Sequence, residues 1–392
     1  MRRPWQPTMR RPIWTRTCSG GSGSWDTSNE GQNMRIPGAR FLRSVVGCWS
    51  RPCPIAEEEL RCALSAYDLG AFHTIRPLRI QSRNCNVLVV TDRGSWILKV
   101  YKASLGAAAI EFEHSVLQHL AIHQFPAPRL VLTRSGETGV QREGHCSALF
   151  EFIPGHSLEP VFLQSSRRLT YLTSTAEIVA RYHQTVNGFA PSGCKRDGFK
   201  PDNSARWHDH AWFADQIADC QKQLQGNRVL ADRLEIIQRN LYDLGERLTR
   251  AGATCTRLAV HGDIGPYNLR VRPDGSLVLL DFDCCHMQLR AYDVISALVN
   301  CAPRRDGNLN LFLATRFFAA YQNIWPLGQE AIQLMPSVYR YVKLCGLVWQ
   351  LRDAIRQQQI IDARWLQARL IWADWLEAHG NHLVAGLLAV NA

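Results

Sequence analysis

Hydrophobic positions along the chain follow two regimes that change near residue 155. Before it, short apolar or alternating runs bounded by turn residues predict strands at 73–79, 86–91 and 95–101. The last two are joined by the turn Asp92-Arg93-Gly94. Helical spacing predicts a helix over 55–69 and another over 107–123, whose apolar stripe includes Ile110, Val116, Leu117 and Leu120. Pro126 and Pro128 stop that helix, and strands are expected at 129–133 and 147–153, the second ending in the turn Pro154-Gly155. Strand, strand, helix, strand, strand is a small antiparallel sheet carrying one helix.

After residue 155 the pattern is mostly helical, with an amphipathic helix at 169–186 and one or two more across 209–250. A compact two-strand unit follows: 258–260, a loop, 269–272, the turn 273–276, then 277–281. The remainder reads as helix, with Trp325, Trp349, Trp365, Trp372 and Trp375 spread along it. The expected fold class is therefore α+β, a small antiparallel β-rich lobe (54–154) joined to a larger, mainly helical lobe (155–392). A cleft between two lobes is where ligands commonly sit.

Composition narrows this further. The chain has 392 residues, 46% hydrophobic and 20% charged, which fits a soluble globular protein and excludes collagen, coiled coil and wholesale disorder. The most apolar late stretch, 382–390, falls far short of the roughly 18–20 residues of a membrane span, so no membrane partner is expected. Net charge is +11, but residues 1–50 hold eight Arg against Asp26 and Glu30 and so carry +6 of it. The basic character belongs largely to an arm over 1–50 that reads as disordered, and no specific nucleic-acid partner is expected. With no apolar core after its arginines the arm is not a secretory signal; an organellar presequence and a chain that starts near Met34 both fit it. Thirteen cysteines without a CxxC pair suit mostly reduced thiols and a cytoplasmic location. The vicinal Cys284-Cys285 pair fits packing beside a strand end better than a thiophilic metal.

The informative run is 261–283, HGDIGPYNLRVRPDGSLVLLDFD. Moving a phosphoryl group from ATP to a hydroxyl needs a carboxylate to accept or orient the hydroxyl proton, two oxygen ligands for Mg²⁺, and a cation on the nucleotide. The Asp263-to-Asn268 spacing lets a loop turn both side chains toward one point, and the hairpin returns Asp281 to the same edge. Neither a Walker-type GxxxxGK[ST] loop nor a GxGxxG is present, which removes those nucleotide folds.

His-Gly-Asp-x-x-x-x-Asn followed by Leu-Leu-Asp-Phe-Asp resembles the aminoglycoside phosphotransferase and choline kinase-like superfamily, which includes homoserine-, methylthioribose- and fructosamine-kinase-like enzymes. The likeness covers about 70–380 and is strongest over 260–294. It implies a two-lobed protein-kinase-like fold using ATP and Mg²⁺. On it, Asp263 resembles the catalytic base and Asn268 and Asp281 the magnesium ligands. His261 joins the catalytic loop, fitting a group that packs and hydrogen-bonds better than one that transfers protons. Asp283 is left between a second metal and a cap on the next turn, and Asp293, in Ala-Tyr-Asp-Val, resembles the group that accepts hydrogen bonds from the catalytic-loop backbone.

In the small lobe, Lys99 with Glu113 resembles the pair that positions the ATP phosphates, Glu111 being the rival partner. A Ser/Asn-rich turn at 82–86 stands where the phosphates would be covered, with Asn84 its assigned residue. Glu151, Phe152 and Ile153 resemble the hinge whose backbone binds adenine. The implied activity is transfer of the γ-phosphoryl group to a hydroxyl of a small molecule: an amino alcohol, a hydroxy amino acid such as homoserine, or a sugar. The alternatives are an atypical Ser/Thr protein kinase, disfavoured by the lack of an Ala-Pro-Glu-like segment after Asp283, and a nucleotide-binding pseudokinase scaffold. Residues 301–392 carry nine Lys+Arg against six acids, which disfavours a polycationic aminoglycoside acceptor. The tryptophans suit helix packing better than a cage for a quaternary amine. The expected assembly is a monomer or homodimer.

Overall fold

The computed structural model describes residues 55–78, 84–103, 105–142, 144–159, 167–194, 209–224, 228–251, 254–302 and 309–390. The basic arm expected over 1–50 lies outside them. All of the described residues belong to one compact unit.

Helix α1 (Glu57–Leu64) precedes strands β1 (Phe72–Pro77), β2 (Cys85–Thr91) and β3 (Gly94–Val100). The expected helix over 55–69 is cut short because Ala66 N–H bonds Ala63 O and Tyr67 N–H bonds Leu64 O, tightening the end into a turn. Tyr67 and Leu69 stay buried, so the apolar period outruns the helix. Helix α2 (Ala107–Ile122) follows, then β4 (Leu130–Val131), β5 (Val140–Arg142) and β6 (His145–Glu151). The strands form a six-stranded sheet in the order β1-β2-β3-β6-β4, with β5 paired to β6 and every pairing antiparallel.

Alternation along β3 divides its faces. Trp96, Leu98 and Val100 face a small core with Leu60, Leu64 and Val87, under α1. Ile97 and Lys99 face the other way and line a cleft of about 280 Å³.

Beyond Pro154 the molecule is mainly helical: α3 (Arg168–Thr185), α4 (His210–Gln223), α5 (Arg228–Ala251), α6 (Arg290–Cys301), α7 (Leu311–Gln322), α8 (Gln329–Arg356) and α9 (Ala363–Leu388). This is a two-lobed protein-kinase-like fold with a small antiparallel N-lobe and a larger helical C-lobe. The expected two-strand unit is in fact two sheets. Strands β9 (Leu269–Val271) and β10 (Leu277–Leu279) form the hairpin, extended by the unforeseen β7 (His156–Ser157). Strand β8 (Arg257–Val260) instead pairs with β11 (His286–Leu289), whose two polar residues in four hid it as a strand. The turn into β7 depends on Gly155, at φ +126°, because a Cβ there would stand 2.0 Å from Val271 O.

The large core unites these helices with α2. Trp349, Trp365, Trp372 and Trp375 pack half-buried against it, and Trp325 lies under the Arg290 guanidinium at 3.8 Å, so the tryptophans serve packing rather than an amine cage. Nine described cysteines, including Cys284 and Cys285, carry thiols, while Cys85 is disulfide-bonded. No helix among the described residues is long and apolar enough to cross a membrane.

Candidate active site

The loop after β8 carries Asp263, and three anchors fix its path. Gly262 sits at φ +83° with its Cα so close to the next segment that a Cβ would stand 2.3 Å from Cys284 O. Only glycine satisfies both demands. The backbone N–H groups of His261 and Gly262 donate to Asp293 Oδ2 and Oδ1 at 2.6 and 2.8 Å, as expected for that aspartate at the start of α6. His183 Nε2 adds a third donor at 3.2 Å, and Tyr321 Oη reaches His183 Nδ1 at 2.8 Å. Burial pushes the Asp293 pKa up, but the His183 hydrogen bond, the neighbouring histidines and the Gly262 amide hold it below the ordinary carboxylate value. Sequence reasoning missed His183 and Tyr321, which lie 110 and 28 residues from Asp293 and read as ordinary helix-face positions.

His261 is fully buried, between Phe282 at 4.8 Å and Tyr182 at 6.3 Å. Its Nε2–H donates to Leu280 O at 2.9 Å, and its Nδ1 accepts the Asp263 N–H at 3.3 Å. Burial lowers its pKa, favouring the neutral ring that this bonding requires. The residue grouped with Asp263 as catalytic is thus a strut: both ring nitrogens are spent on backbone and none faces the cleft.

Asp263 is held on both oxygens. Asn268 Nδ2 donates to Oδ2 at 3.0 Å and to the Asp263 carbonyl at 2.9 Å. Tyr267 Oη, which sequence reasoning passed over, donates to Oδ1 at 2.8 Å. Leu280 N–H bonds Asn268 O at 2.8 Å, which fixes the return of the hairpin one residue before Asp281. Asn268, Asp281, Lys99 and Glu113 all line the same cleft. Of the three polar groups expected to converge, Asp263 is hydrogen-bonded to Asn268, and Asn268 and Asp281 share the cleft wall.

Asp281 is not the end of a strand, since β10 stops at Leu279; it adopts the left-handed region at φ +63° and caps a 3₁₀ turn over Phe282–Cys284 by accepting from the Asp283 N–H. A non-glycine residue held there stores strain, which clusters at functional positions. Burial first, and then the Asp283 charge, push the Asp281 pKa up to about 7.

Lys99 Nζ bonds Glu113 Oε1 at 2.6 Å, which settles its partner; the rival Glu111 is exposed. Lys99 also pairs with Asp283 Oδ1, and Asn84 Nδ2 donates to Asp283 Oδ2 at 2.7 Å. Asp283 thus meets the small lobe through both of its oxygens, and Asn84 joins the two lobes, its Oδ1 accepting the Lys102 N–H at 3.1 Å. Ser82 and Arg83 of that turn lie outside the described residues. Burial opposes the Lys99 charge, but Asp283 and Glu113 outweigh it and hold its pKa well above the ordinary value.

At the other end of the cleft, Glu151, Phe152 and Ile153 line the wall as expected. The Glu151 and Phe152 N–H groups bond Arg129 O at 2.9 Å and Ser95 O at 3.2 Å. Arg270, an unforeseen cleft residue, reaches Gly155 O at 2.9 Å with its guanidinium 5.6 Å from the Phe152 ring. Among the described residues no group of three His, Cys, Asp or Glu side chains forms a metal cage. The donor set fits Mg²⁺, which keeps one or two carboxylates and completes its shell with phosphate and water. Burial and the neighbouring Asp283 charge both disfavour an unpartnered Asp281 carboxylate, which a bound cation would stabilise, while Lys99 offsets part of that cost.

A family model described as "Phosphotransferase enzyme family" matches residues 74–330. Homoserine kinase of Phenylobacterium zucineum (strain HLK1) is 25% identical over 301 residues, 76% of this chain and 86% of that protein. Homoserine kinase of Caulobacter sp. (strain K31) is 26% identical over 302 residues, 76% of this chain and 87% of that protein. Among solved structures, an aminoglycoside phosphotransferase from Alicyclobacillus acidocaldarius superposes with TM-score 0.56 at 16% identity, covering 87% of this chain and 98% of that one. A microcompartment-associated aminopropanol kinase gives TM-score 0.55 at 19% identity, covering 85% and 99%.

Proposed function

The chain belongs to the phosphotransferase enzyme family, and on that premise we propose that it moves the γ-phosphoryl group of ATP to the hydroxyl of a small hydroxy amino acid or amino alcohol, with L-homoserine the first acceptor to test. One observation carries the reading: Asp263 is hydrogen-bonded to Asn268, which lines one cleft together with Asp281 and the Lys99–Glu113 pair. The choice of acceptor rests on the homoserine kinases of similar sequence and on the net positive charge of 301–392, which suits an acceptor carrying a carboxylate better than a polycation.

In this mechanism Lys99, oriented by Glu113 and Asp283, holds the nucleotide phosphates. The Ile153 backbone is the adenine contact of the hinge, since the Glu151 and Phe152 N–H groups are already engaged. Asn268 and Asp281 would hold Mg²⁺, which would neutralise charge on the phosphates. Asp263 takes the proton of the acceptor hydroxyl as its oxygen bonds to the γ-phosphorus and the bridging P–O bond breaks, releasing ADP. His261 and Asp293 keep the Asp263 loop in place. A cytoplasmic setting, suited by thiols at nine of the ten described cysteines, is part of the same proposal.

The test is ADP formation by the full chain with Mg²⁺ and ATP over a panel of L-homoserine, amino alcohols, sugars and aminoglycosides, with Asp263→Asn as blank. Acceptor-dependent turnover on hydroxy amino acids or amino alcohols, lost in the blank, is expected. Turnover that survives in the blank would remove Asp263 from the chemistry.

A further inference from the structure

We propose that Tyr267 is a place-holder that blocks futile ATP hydrolysis: its phenol occupies the Asp263 oxygen that an acceptor hydroxyl must use, and it yields only to that hydroxyl. The inference rests on the phosphotransferase reading above and adds a residue to it.

Tyr267 lies in the short 3₁₀ turn between Asp263 and β9, flanked by the buried Pro266 and Asn268, yet is itself 42% exposed and lines the cleft. An exposed tyrosine ordinarily leaves its hydroxyl in water. Here the hydroxyl turns back on its own loop and donates to Asp263 Oδ1 at 2.8 Å. A second residue fixes it there. Asn300, near the end of α6, donates from Nδ2 to Tyr267 Oη at 3.1 Å and to Ile264 O at 2.8 Å, so phenol and loop are pinned from one point. Asn268 Nδ2 occupies the other carboxylate oxygen at 3.0 Å. The phenol is an O–H donor, the same chemical group as the alcohol that is to be phosphorylated.

Water is the competitor that any such enzyme must exclude. In the futile reaction a water oxygen bonds to the γ-phosphorus, the bridging P–O bond breaks, and ADP and phosphate leave. The water proton passes to Asp263 and then to solvent. That step needs an Asp263 oxygen able to accept from water. With one lone pair of Oδ1 held by the phenol and one of Oδ2 by the amide, a single water can reach only the remaining lone pairs, with no second group to hold it in line with the γ-phosphorus. A bound acceptor, anchored by its other groups, delivers its hydroxyl at high effective concentration and can replace the phenol.

The discriminating variant is Tyr267→Phe, which keeps the ring and removes the donor. The measurements are steady-state ADP release by the full chain with Mg²⁺ and ATP and no acceptor, then kcat and acceptor KM with the best acceptor of the panel above, beside a thermal melt. The expected result is acceptor-free ADP release raised about fivefold, well inside the roughly 10²–10⁴ that a positioned base contributes. Acceptor KM should fall, because no phenol must be displaced, with the melt unchanged. A tyrosine that merely staples the loop would do the reverse, lowering kcat without raising hydrolysis. Acceptor-free ADP release at or below the wild-type rate, alongside normal wild-type transfer, overturns the place-holder and leaves the phosphotransferase reading standing. A wild-type chain that forms no ADP with any acceptor defeats that reading, and the place-holder with it.

Discussion

Lys99 Nζ stands 2.6 Å from Glu113 Oε1 with 9% and 2% of the two side chains exposed, a nearly dry ion pair in the middle of the sheet. Two carboxylates, Glu113 and Asp283, depend on this one ammonium. Removing it leaves Asp283 its Asn84 hydrogen bond and Glu113 its Tyr101 hydroxyl but takes the ammonium from both, and breaking a buried pair from one side costs about 3–5 kcal/mol. Lys99→Met is therefore expected to lower the urea midpoint strongly and to abolish ATP binding. Glu113→Gln, which leaves Lys99 its Asp283 partner, should cost visibly less stability while still impairing turnover. Equal losses in the two variants would contradict this ordering.

Asp293 is the corresponding strut of the C-lobe. Asp293→Ala leaves the His261 and Gly262 N–H groups and the His183 ring without their acceptor in a dry site. A loss of about 3 kcal/mol in chemical unfolding is expected, in the range for stranding buried polar partners. Turnover should fall at least about tenfold because the Asp263 loop is no longer held. Asp293→Asn, which keeps one acceptor oxygen, should fall between the variant and wild type.

Asp281 gives a dependence on pH. Its folded pKa is raised, from 3.8 to about 7, so the folded chain holds this proton more tightly than the unfolded chain does. The penalty for its charge is therefore absent below the ordinary value, grows between about pH 4 and 7, and is constant above. Asp281→Asn removes it. In the absence of nucleotide and Mg²⁺, the variant should melt above wild type at pH 8 by several degrees, and the gap should close toward pH 4. The same variant should be inactive. A gap that is absent at pH 8, or that widens as pH falls, would contradict the buried-carboxylate account.

How much of this was legible beforehand follows from which interactions are local. Asp263 and Asn268 lie five residues apart, and Lys99 and Glu113 sit on adjacent elements, so the family resemblance could place them, with Glu111 left as a rival for Lys99. Tyr267 is also local, but a tyrosine in a loop announces packing before it announces a hydrogen bond to a carboxylate. His183, Tyr321 and Asn300 meet the site only because α3, α6 and α7 pack together, and a single chain of letters carries no mark of that. The same cause explains β11, which pairs with β8 from 26 or more residues away. For Asp283 the sequence offers a metal or a turn and gives no sign of the Lys99 pairing. The lysine that neutralises it is 184 residues distant and was already assigned to Glu113.

The central claim is that Asp263, Asn268 and Asp281 serve one magnesium-bound triphosphate beside Lys99. The most direct measurement is calorimetric titration of ATP into wild type and Asp281→Ala, each with Mg²⁺ and with EDTA. Wild type should bind ATP appreciably only with Mg²⁺, and the variant should lose that affinity at least about tenfold, or about 1.4 kcal/mol, in Mg²⁺ alone. Equal affinity of the two proteins for ATP in Mg²⁺ would place the metal elsewhere and contradict the account.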